Sequence, residues 1–334
     1  MTVKITIIGL GQIGASIGLA LAGHKNQVTT LGYDKAAEVG RKAQKMGAVE
    51  NVAHGLLQSI KDADVVILAL PLDQVQETLE SIGPRLDQRT VVFDTAPVKE
   101  AVAAWVEEFL PSKRYVGLTP AINAQALDDT QVGIDAARAD LFQNGVVAIS
   151  APHGTDEEAI KLAASFVTLL GARAYFADQA EVDGIMAAVH TLPALVAAAL
   201  AEAVIGQPGW ADIRKLAGRP FTAALRLYDA EDPTALAEAA RKNRANTVRL
   251  LDDTIAALKS MRDDIEADGK KGLRVRLEQA LKEADQWRQA RADGDWQAIE
   301  NSEQEIPTFS DLWMQQLGLG KLLGGLRPRK KDED

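Results

Sequence analysis

Three glycines and one acid carry the clearest chemical signal in the chain. Gly9, Gly11 and Gly14 stand in "GLGQIG" with G-x-G-x-x-G spacing, and Asp34 follows Gly14 by twenty positions, just after "TLGY". A glycine turn between a strand and a helix suits a pyrophosphate. Gly9 permits the tight turn, Gly11 lets phosphate approach the backbone, and Gly14 lets helix and strand pack closely. The opening turn of the helix adds free N–H donors and a positive dipole end. Leu10, Gln12 and Ile13, which fill the loop, are therefore candidate cofactor contacts with the glycines. Asp34 would accept hydrogen bonds from the ribose hydroxyls of NAD and repel the extra phosphate of NADP. Lys35, directly after it, softens that preference and leaves NADP open. Packing alone is the competing account of the glycines, and the strand–turn–helix setting with an acid at this offset argues against it.

Other strand ends fall beside the same cleft. Leu70 and Pro71 in "ALPLDQV" and Thr95 in "FDTAPVK" would flank the nicotinamide half. Lys99, at the end of that second stretch, reads as a substrate or cofactor contact or as an ordinary first-turn helix lysine. In "YVGLTPAIN", Thr119 would lie at the tip of a strand, on the carboxyl edge where α/β enzymes keep their chemistry. A threonine hydroxyl can orient a substrate hydroxyl or a water. It cannot take up a proton near neutral pH, and general-base catalysis is typically worth about 10²- to 10⁴-fold. A base at this site must come from elsewhere, or the substrate must not need one.

The elements that would position these residues are legible in the first half of the chain. "KITIIG", "QVTTLGY", "VVILAL", "TVVFDT", "RYVGL" and "GVVAIS" read as strands, separated for the most part by helix-period segments such as "QIGASIGLALAGH" and "VKEAVAAWVEEFL". Val and Ile runs without polar alternation predict strands buried on both faces. Repeated β–α units predict an α/β fold, a Rossmann-like, doubly wound and mostly parallel sheet. A last helix–strand unit ends near Asp178, giving a nucleotide-binding domain at 1–178. From Gln179 onward strand signals nearly vanish. Long amphipathic patterns predict an all-α domain at 179–320, and "LRPRKKDED" predicts a charged, flexible tail at 321–334. The apolar faces of "HTLPALVAAALAEAVI" exceed what a small domain buries alone, which predicts a homodimer.

Bulk properties narrow the class. With 47% hydrophobic and 25% charged residues, the chain has the balance of a soluble globular protein. A net charge of −10 repels phosphate backbones, so no nucleic-acid partner is expected. The chain has no cysteine, hence no thiolate chemistry or Cys-based metal site, and no metal is expected. No signal peptide is read at the N-terminus, and no apolar run reaches the roughly 20 residues of a membrane span. A cytoplasmic location, without a membrane partner, is the expectation.

"IIGLGQIGASIGLAL", "GYD", "FDTAPVK", "YVGLTP", "HTLPALVAAAL", "PFTAALRL" and "KNRANTVRLLDD" together resemble the prephenate/arogenate dehydrogenase family. The resemblance runs from about residue 3 to 260. It implies an NAD(P)-binding first domain, a helical dimerising second domain, and a carboxylate substrate between them. The implied reaction is oxidation of a ring hydroxyl by hydride transfer with loss of CO2, a step of tyrosine biosynthesis. It implies that Arg226, in the "F-x-x-x-x-R" pattern from Phe221, pairs with a substrate carboxylate as a bidentate fork can, and that Asn243 matches a family asparagine at the substrate. Three departures stand out. Thr119 occupies the place of the family's usual His, Pro97 that of a Ser. His190, Thr191 and Ala194 fall on its Ser-His-Leu-Pro-His helix, so both histidines are displaced. His190 is the substitute base that the resemblance offers, one residue or about 100° from the family position; a structural histidine is the alternative. An NAD(P)-dependent dehydrogenase of this type is the first expectation. The same scaffold acting on another small acid or imine is the second, and a non-catalytic NAD-binding sensor the third.

Overall fold

The computed structural model describes residues 2–110, 112, 114–229, 232–267 and 272–294. The tail expected at 321–334, and the stretch of the helical region from 295 to 320, lie outside the described residues. Strands β1 (Val3–Ile8), β2 (Val28–Tyr33), β3 (Asn51–Val52), β4 (Val65–Leu68), β5 (Val91–Asp94), β6 (Tyr115–Pro120), β7 (Val146–Ser150) and β8 (Arg173–Phe176) form one sheet in the order β3-β2-β1-β4-β5-β6-β7-β8. Neighbouring strands run parallel except β6 and β7, which pair antiparallel with Gly117 opposite Ser150 and Thr119 opposite Ala148. The sheet is thus the mostly parallel one that the repeated β–α units predicted.

Helices α1 (Gln12–Leu21), α2 (Ala37–Lys45), α3 (Leu56–Ser59), α4 (Leu72–Ile82), α5 (Lys99–Phe109) and α6 (Glu157–Leu169) cover the sheet. The period-2 alternation of a strand divides its side chains between two cores. Val91 and Phe93 of β5 join Ile17 of α1 and Phe166 of α6 on one face; Val92 joins Val75 of α4 and Val102 of α5 on the other. Asp94 follows Val92 onto the second face, a charged residue with no exposure, and much of the site depends on it.

From Gln179 the chain is helical: α7 (Gln179–Met186), a wider π-helical turn at Ala187–Thr191, α8 (Leu192–Ile205), α9 (Trp210–Leu216), α10 (Arg219–Asp229), α11 (Pro233–Lys242), α12 (Arg244–Glu266) and α13 (Gly272–Asp293). Pro193 has no N–H to offer the preceding turn, and the π-helical turn lies just before it. The result is one continuous helix of 27 residues, Gln179–Ile205, long and apolar enough by length and composition to cross a membrane. No span of this length was expected from the sequence, where the longest apolar run, Leu192 to Ile205, is short and contains Pro193 and Glu202. The turn of this helix that carries Asp183 is docked on protein: Asp183 is buried and binds the start of α5. Ala239 of α11 enters the core beneath α4 and α5, and Lys242 Nζ lies 5.0 Å from the ring of Trp105 in α5. The helical half therefore packs on the α4–α5 side of the sheet.

Phe93 and Phe166 pack with ring centroids 5.4 Å apart, both fully buried. Phe93→Ala is expected to destabilise the fold by about 3–5 kcal/mol, the usual cost of a large buried aromatic truncation. Urea unfolding should show this as a lower midpoint with an unchanged slope.

Candidate functional site

Chain order reverses between β1 and β4, since β2 and β3 lie on one side of β1 and β4 to β8 on the other. Ligands of open α/β sheets bind in the crevice at such a switch point. The glycine loop sits there. Gly9 has φ +91°, and a Cβ on it would stand 2.3 Å from the carbonyl oxygen of Ala69, just after β4. A Cβ on Gly14 would stand 1.9 Å from the carbonyl oxygen of Gly9. These two glycines serve the turn and the packing. Gly11 differs: its φ of −70° is open to any residue, and nothing lies within 4 Å of where its Cβ would be. The space beside it, at the start of α1, is open. At the N-terminus of α1 no side chain caps the helix and no acid occupies the first turn, so its N–H groups and dipole end stay available to an anion. The residues present fit a dinucleotide pyrophosphate.

Asp34 directly follows β2 and braces this loop. Its Oδ2 accepts a 2.8 Å hydrogen bond from the N–H of Leu10, and its Oδ1 a 2.9 Å bond from that of Ala36. Each oxygen keeps a second lone pair for a ribose hydroxyl. Lys35 beside it is exposed. Leu10 is buried, Ile13 packs on the core, and the Gln12 amide reaches the Ala136 carbonyl at 3.5 Å. Leu70 packs against Gly9, and Pro71 opens α4. The Thr95 N–H donates to Leu68 O at 3.0 Å, holding the β4 and β5 tips together.

Lys99 lies elsewhere than on the cleft surface, where the sequence offered it as a substrate or cofactor contact. It is fully buried: Nζ donates to Asp94 Oδ1 at 3.0 Å, to Asp94 O at 3.2 Å and to Leu118 O at 3.0 Å. Tyr115 donates its hydroxyl to Asp94 Oδ2 at 2.5 Å. Burial pushes the Lys99 ammonium pKa down against the pull of Asp94. Burial, then the Asp94 charge, pushes the Tyr115 phenol well up. The phenol thus stays protonated as a donor. Gly117 makes the arrangement sterically possible, since a Cβ there would stand 2.8 Å from Lys99 Cδ and 3.0 Å from Ser150 Oγ. Thr119 ends this polar seam, 9% exposed, and its hydroxyl, like that of Ser150, has no protein partner among the described residues.

The helical half contributes the remaining candidates. The row Ala187, Thr191, Ala194 faces inward, each residue buried, while His190 is half-buried beside it. The π-helical turn shifts side chains across it by about 100° relative to an unbroken α-helix. Arg226 is exposed on α10 and forms no ion pair among the described residues; α10 packs on α8. Asn243, which the resemblance placed at the substrate, is instead used inside the protein. Its Nδ2 donates to Asp183 O at 2.6 Å, and its Oδ1 accepts from Asn246 at 2.9 Å. Asp183 itself accepts from the backbone N–H groups of Lys99 and Glu100. Burial raises its pKa to about 6. Asp183 was not among the residues expected at the site, although an acid inside the apolar stretch "VDGIMAAV" is a visible signal.

Residues 17–176 match the family profile "Prephenate dehydrogenase, nucleotide-binding domain", and residues 178–283 match "Prephenate dehydrogenase, dimerization domain". The chain belongs to the prephenate dehydrogenase family. It is therefore an NAD-dependent oxidoreductase. A cyclohexadienyl dehydrogenase of Zymomonas mobilis is 27% identical over 263 residues, covering 78% of this chain and 88% of that protein. A prephenate dehydrogenase of Bacillus subtilis is 28% identical over 200 residues, 59% of this chain and 52% of the relative, so this match spans about half of that enzyme. Among solved structures, Synechocystis arogenate dehydrogenase superposes with a TM-score of 0.65 at 25% identity, covering 85% of this chain and 99% of that one. A prephenate dehydrogenase from Aquifex aeolicus, in complex with hydroxyphenyl propionate and NAD+, gives 0.75 at 21% identity over 86% and 98%. At that identity the likeness speaks for the fold.

Within this member of the prephenate dehydrogenase family, Gly11 and Gly14 separate ligand binding from folding. Gly11→Ala should leave the melting temperature unchanged and weaken NAD+ binding at least about tenfold, the scale of one lost charge-assisted hydrogen bond. Gly14→Ala, which drives a methyl into Gly9 O, should lower both. Thermal melts and calorimetric titration of the two variants check this.

Proposed function

We propose that the chain oxidises a prephenate- or arogenate-type substrate with NAD, releasing CO2 and leaving an aromatic ring. The observation that carries the proposal is the open, uncapped start of α1 beside Gly11, braced by Asp34, in a chain whose two halves match one dehydrogenase family. Bound there, NAD supplies a hydride acceptor. Gly9, Leu10, Gly11, Gln12, Ile13 and Gly14 cradle the pyrophosphate. Asp34 takes the ribose hydroxyls and favours NAD over NADP, with exposed Lys35 tempering the discrimination. Leu70, Pro71 and Thr95 flank the nicotinamide half. Thr119 orients the substrate hydroxyl at the tip of β6, Arg226 grips a carboxylate from α10, and His190 is the candidate proton acceptor on the helix that carries the π-helical turn.

A second reading is favoured by one observation. Thr119 presents a buried hydroxyl without a protein partner where the family resemblance implies a histidine, and the inward positions 191 and 194 carry Thr and Ala. A related small acid or imine that needs a hydroxyl at this point, rather than a base, fits that site. Assays following NADH with prephenate, arogenate and other small acids and imines distinguish the readings. Activity with prephenate or arogenate supports the first, and activity only with another acid or imine supports the second. If the base was lost from a prephenate-type enzyme, Thr119→His should raise prephenate or arogenate turnover at least about tenfold, short of the full general-base factor. A flat rate in a folded variant would count against the lost-base account.

We also infer a homodimer formed through the helical half. Val196, Leu200, Ile255 and Leu258 are exposed there, more apolar surface than a monomer usually leaves in water. Light scattering at micromolar concentration should give about twice the 35.8 kDa chain mass; a monomer mass would reject the dimer.

A further inference from the structure

We propose that Asp183 is a positioning residue: reaching from the helical half, its carboxylate caps the N-terminus of α5 and so fixes Lys99 and the tips of β5 and β6 where the reaction needs them. The inference rests on the dehydrogenase reading above for its catalytic arm and on geometry for the rest. Helix α5 has no cap of its own. Val98 stands at the capping position and offers no side-chain acceptor, so the N–H of buried Lys99 would lack a partner and that of Glu100 would have none within the helix. Asp183 supplies both acceptors. Its Oδ1 lies 2.5 Å from the Lys99 nitrogen and its Oδ2 3.2 Å from that of Glu100.

The bond is not local, because Asp183 lies 84 residues from Lys99 in sequence and on α7. It is held from behind as well, where its carbonyl accepts the 2.6 Å bond from Asn243 at the α11–α12 junction. Lys99 then carries the connection forward. Its backbone is held by the helical half, and its side chain holds Asp94 at the end of β5 and Leu118 O, next to Thr119. Asp94 Oδ1 also accepts from the N–H of Ala96 at 2.8 Å, which shapes the turn after Thr95. One short chain of bonds thus joins the continuous helix bearing His190 to the strand tip bearing Thr119. The glycine loop and Asp34 lie outside that chain. Loss of the cap should therefore disturb the substrate step and the nicotinamide flank at Thr95, and spare the pyrophosphate and ribose contacts that dominate NAD+ affinity.

The test compares Asp183→Ala and Asp183→Asn with the unaltered full-length protein. In Asp183→Ala the Lys99 and Glu100 amides should exchange with deuterium at least about tenfold faster, as expected for a locally opened helix end. Calorimetric NAD+ affinity should stay within about threefold, while kcat on prephenate or arogenate falls about tenfold or more, in keeping with the sensitivity of turnover to small misplacements. Asp183→Asn keeps an oxygen for the Lys99 N–H and should recover most of both losses; it also serves if the alanine variant fails to fold. Unchanged exchange at Lys99 and Glu100 overturns the cap. Unchanged kcat despite faster exchange overturns the positioning role, as does NAD+ affinity falling in step with kcat. If the unaltered protein turns over neither substrate, the substrate reading fails separately. The exchange arm, run with NAD+ bound, then decides the proposal, and unchanged protection overturns it.

Discussion

The carboxyl edge of the sheet depends on the ion pair between Lys99 and Asp94. Both side chains are without exposure, and an isolated buried charge is among the costliest groups a protein can hold. A buried pair is tolerable only when its remaining hydrogen-bonding capacity is met, and removing one partner is far worse than never having had either. Here that capacity is met from every side. Tyr115 and the Ala96 N–H donate to Asp94, and the carbonyls of residues 94 and 118 receive the lysine protons. Those groups come from β6, from the end of β5 and the turn after it, and from the first turn of α5. The turn after β5, the last residues of β6 and the first turn of α5 cannot move independently while the pair is intact, so Thr95 and Thr119 keep a fixed relation to one another.

That rigidity contrasts with the chemistry at the tip. The glycine loop, the acid and the sheet reversal are those of a dinucleotide fold, while the β6 tip carries a threonine and the inward row of the second-half helix carries Ala187, Thr191 and Ala194, none of which titrates. The cofactor side thus follows the physical logic of a dinucleotide fold closely. On the proposed reading, the substrate side has small or hydroxylated residues, Thr119, Thr191 and Ala194, where the family resemblance implies histidines. A scaffold of this kind can change what it acts on without disturbing how it binds its cofactor, because the two sets of residues come from different strand ends and different halves of the chain.

Much of this was legible in the residues. The strands of the first half announced themselves as Val and Ile runs, and the offset from Gly14 to Asp34 located both the loop and its brace. What stayed hidden was long-range or irregular. β3 is two residues long and pairs only with β2, too short to form an apolar run. The antiparallel β6–β7 pairing depends on the path of a long connection, which includes short 3₁₀ turns at Ala124–Ala126 and Gly133–Ala136. No hydrophobic period reports strand direction. The π-helical turn leaves no periodic trace within five residues, and Pro193 was the only hint of it. Lys99 could be read as a surface contact because its charge suggested solvent. Only the fold shows an acid, a phenol and two carbonyls gathered around it. Asn243 looked like a ligand contact by resemblance, yet its amide is turned inward to the backbone of α7.

Gly117 has a consequence beyond the strand it occupies. The aliphatic stem of Lys99 lies over β6 in the notch this residue leaves, on the sheet face that carries Tyr115 and α5, with Ser150 beside it. Positions 99 and 117 therefore form a single unit of inheritance. Alanine at 117 is excluded while lysine remains at 99, and a shorter residue at 99 would leave both a void and an orphaned carboxylate. Any attempt to reshape this pocket by recombination or randomisation must exchange the two together with Asp94, or keep all three.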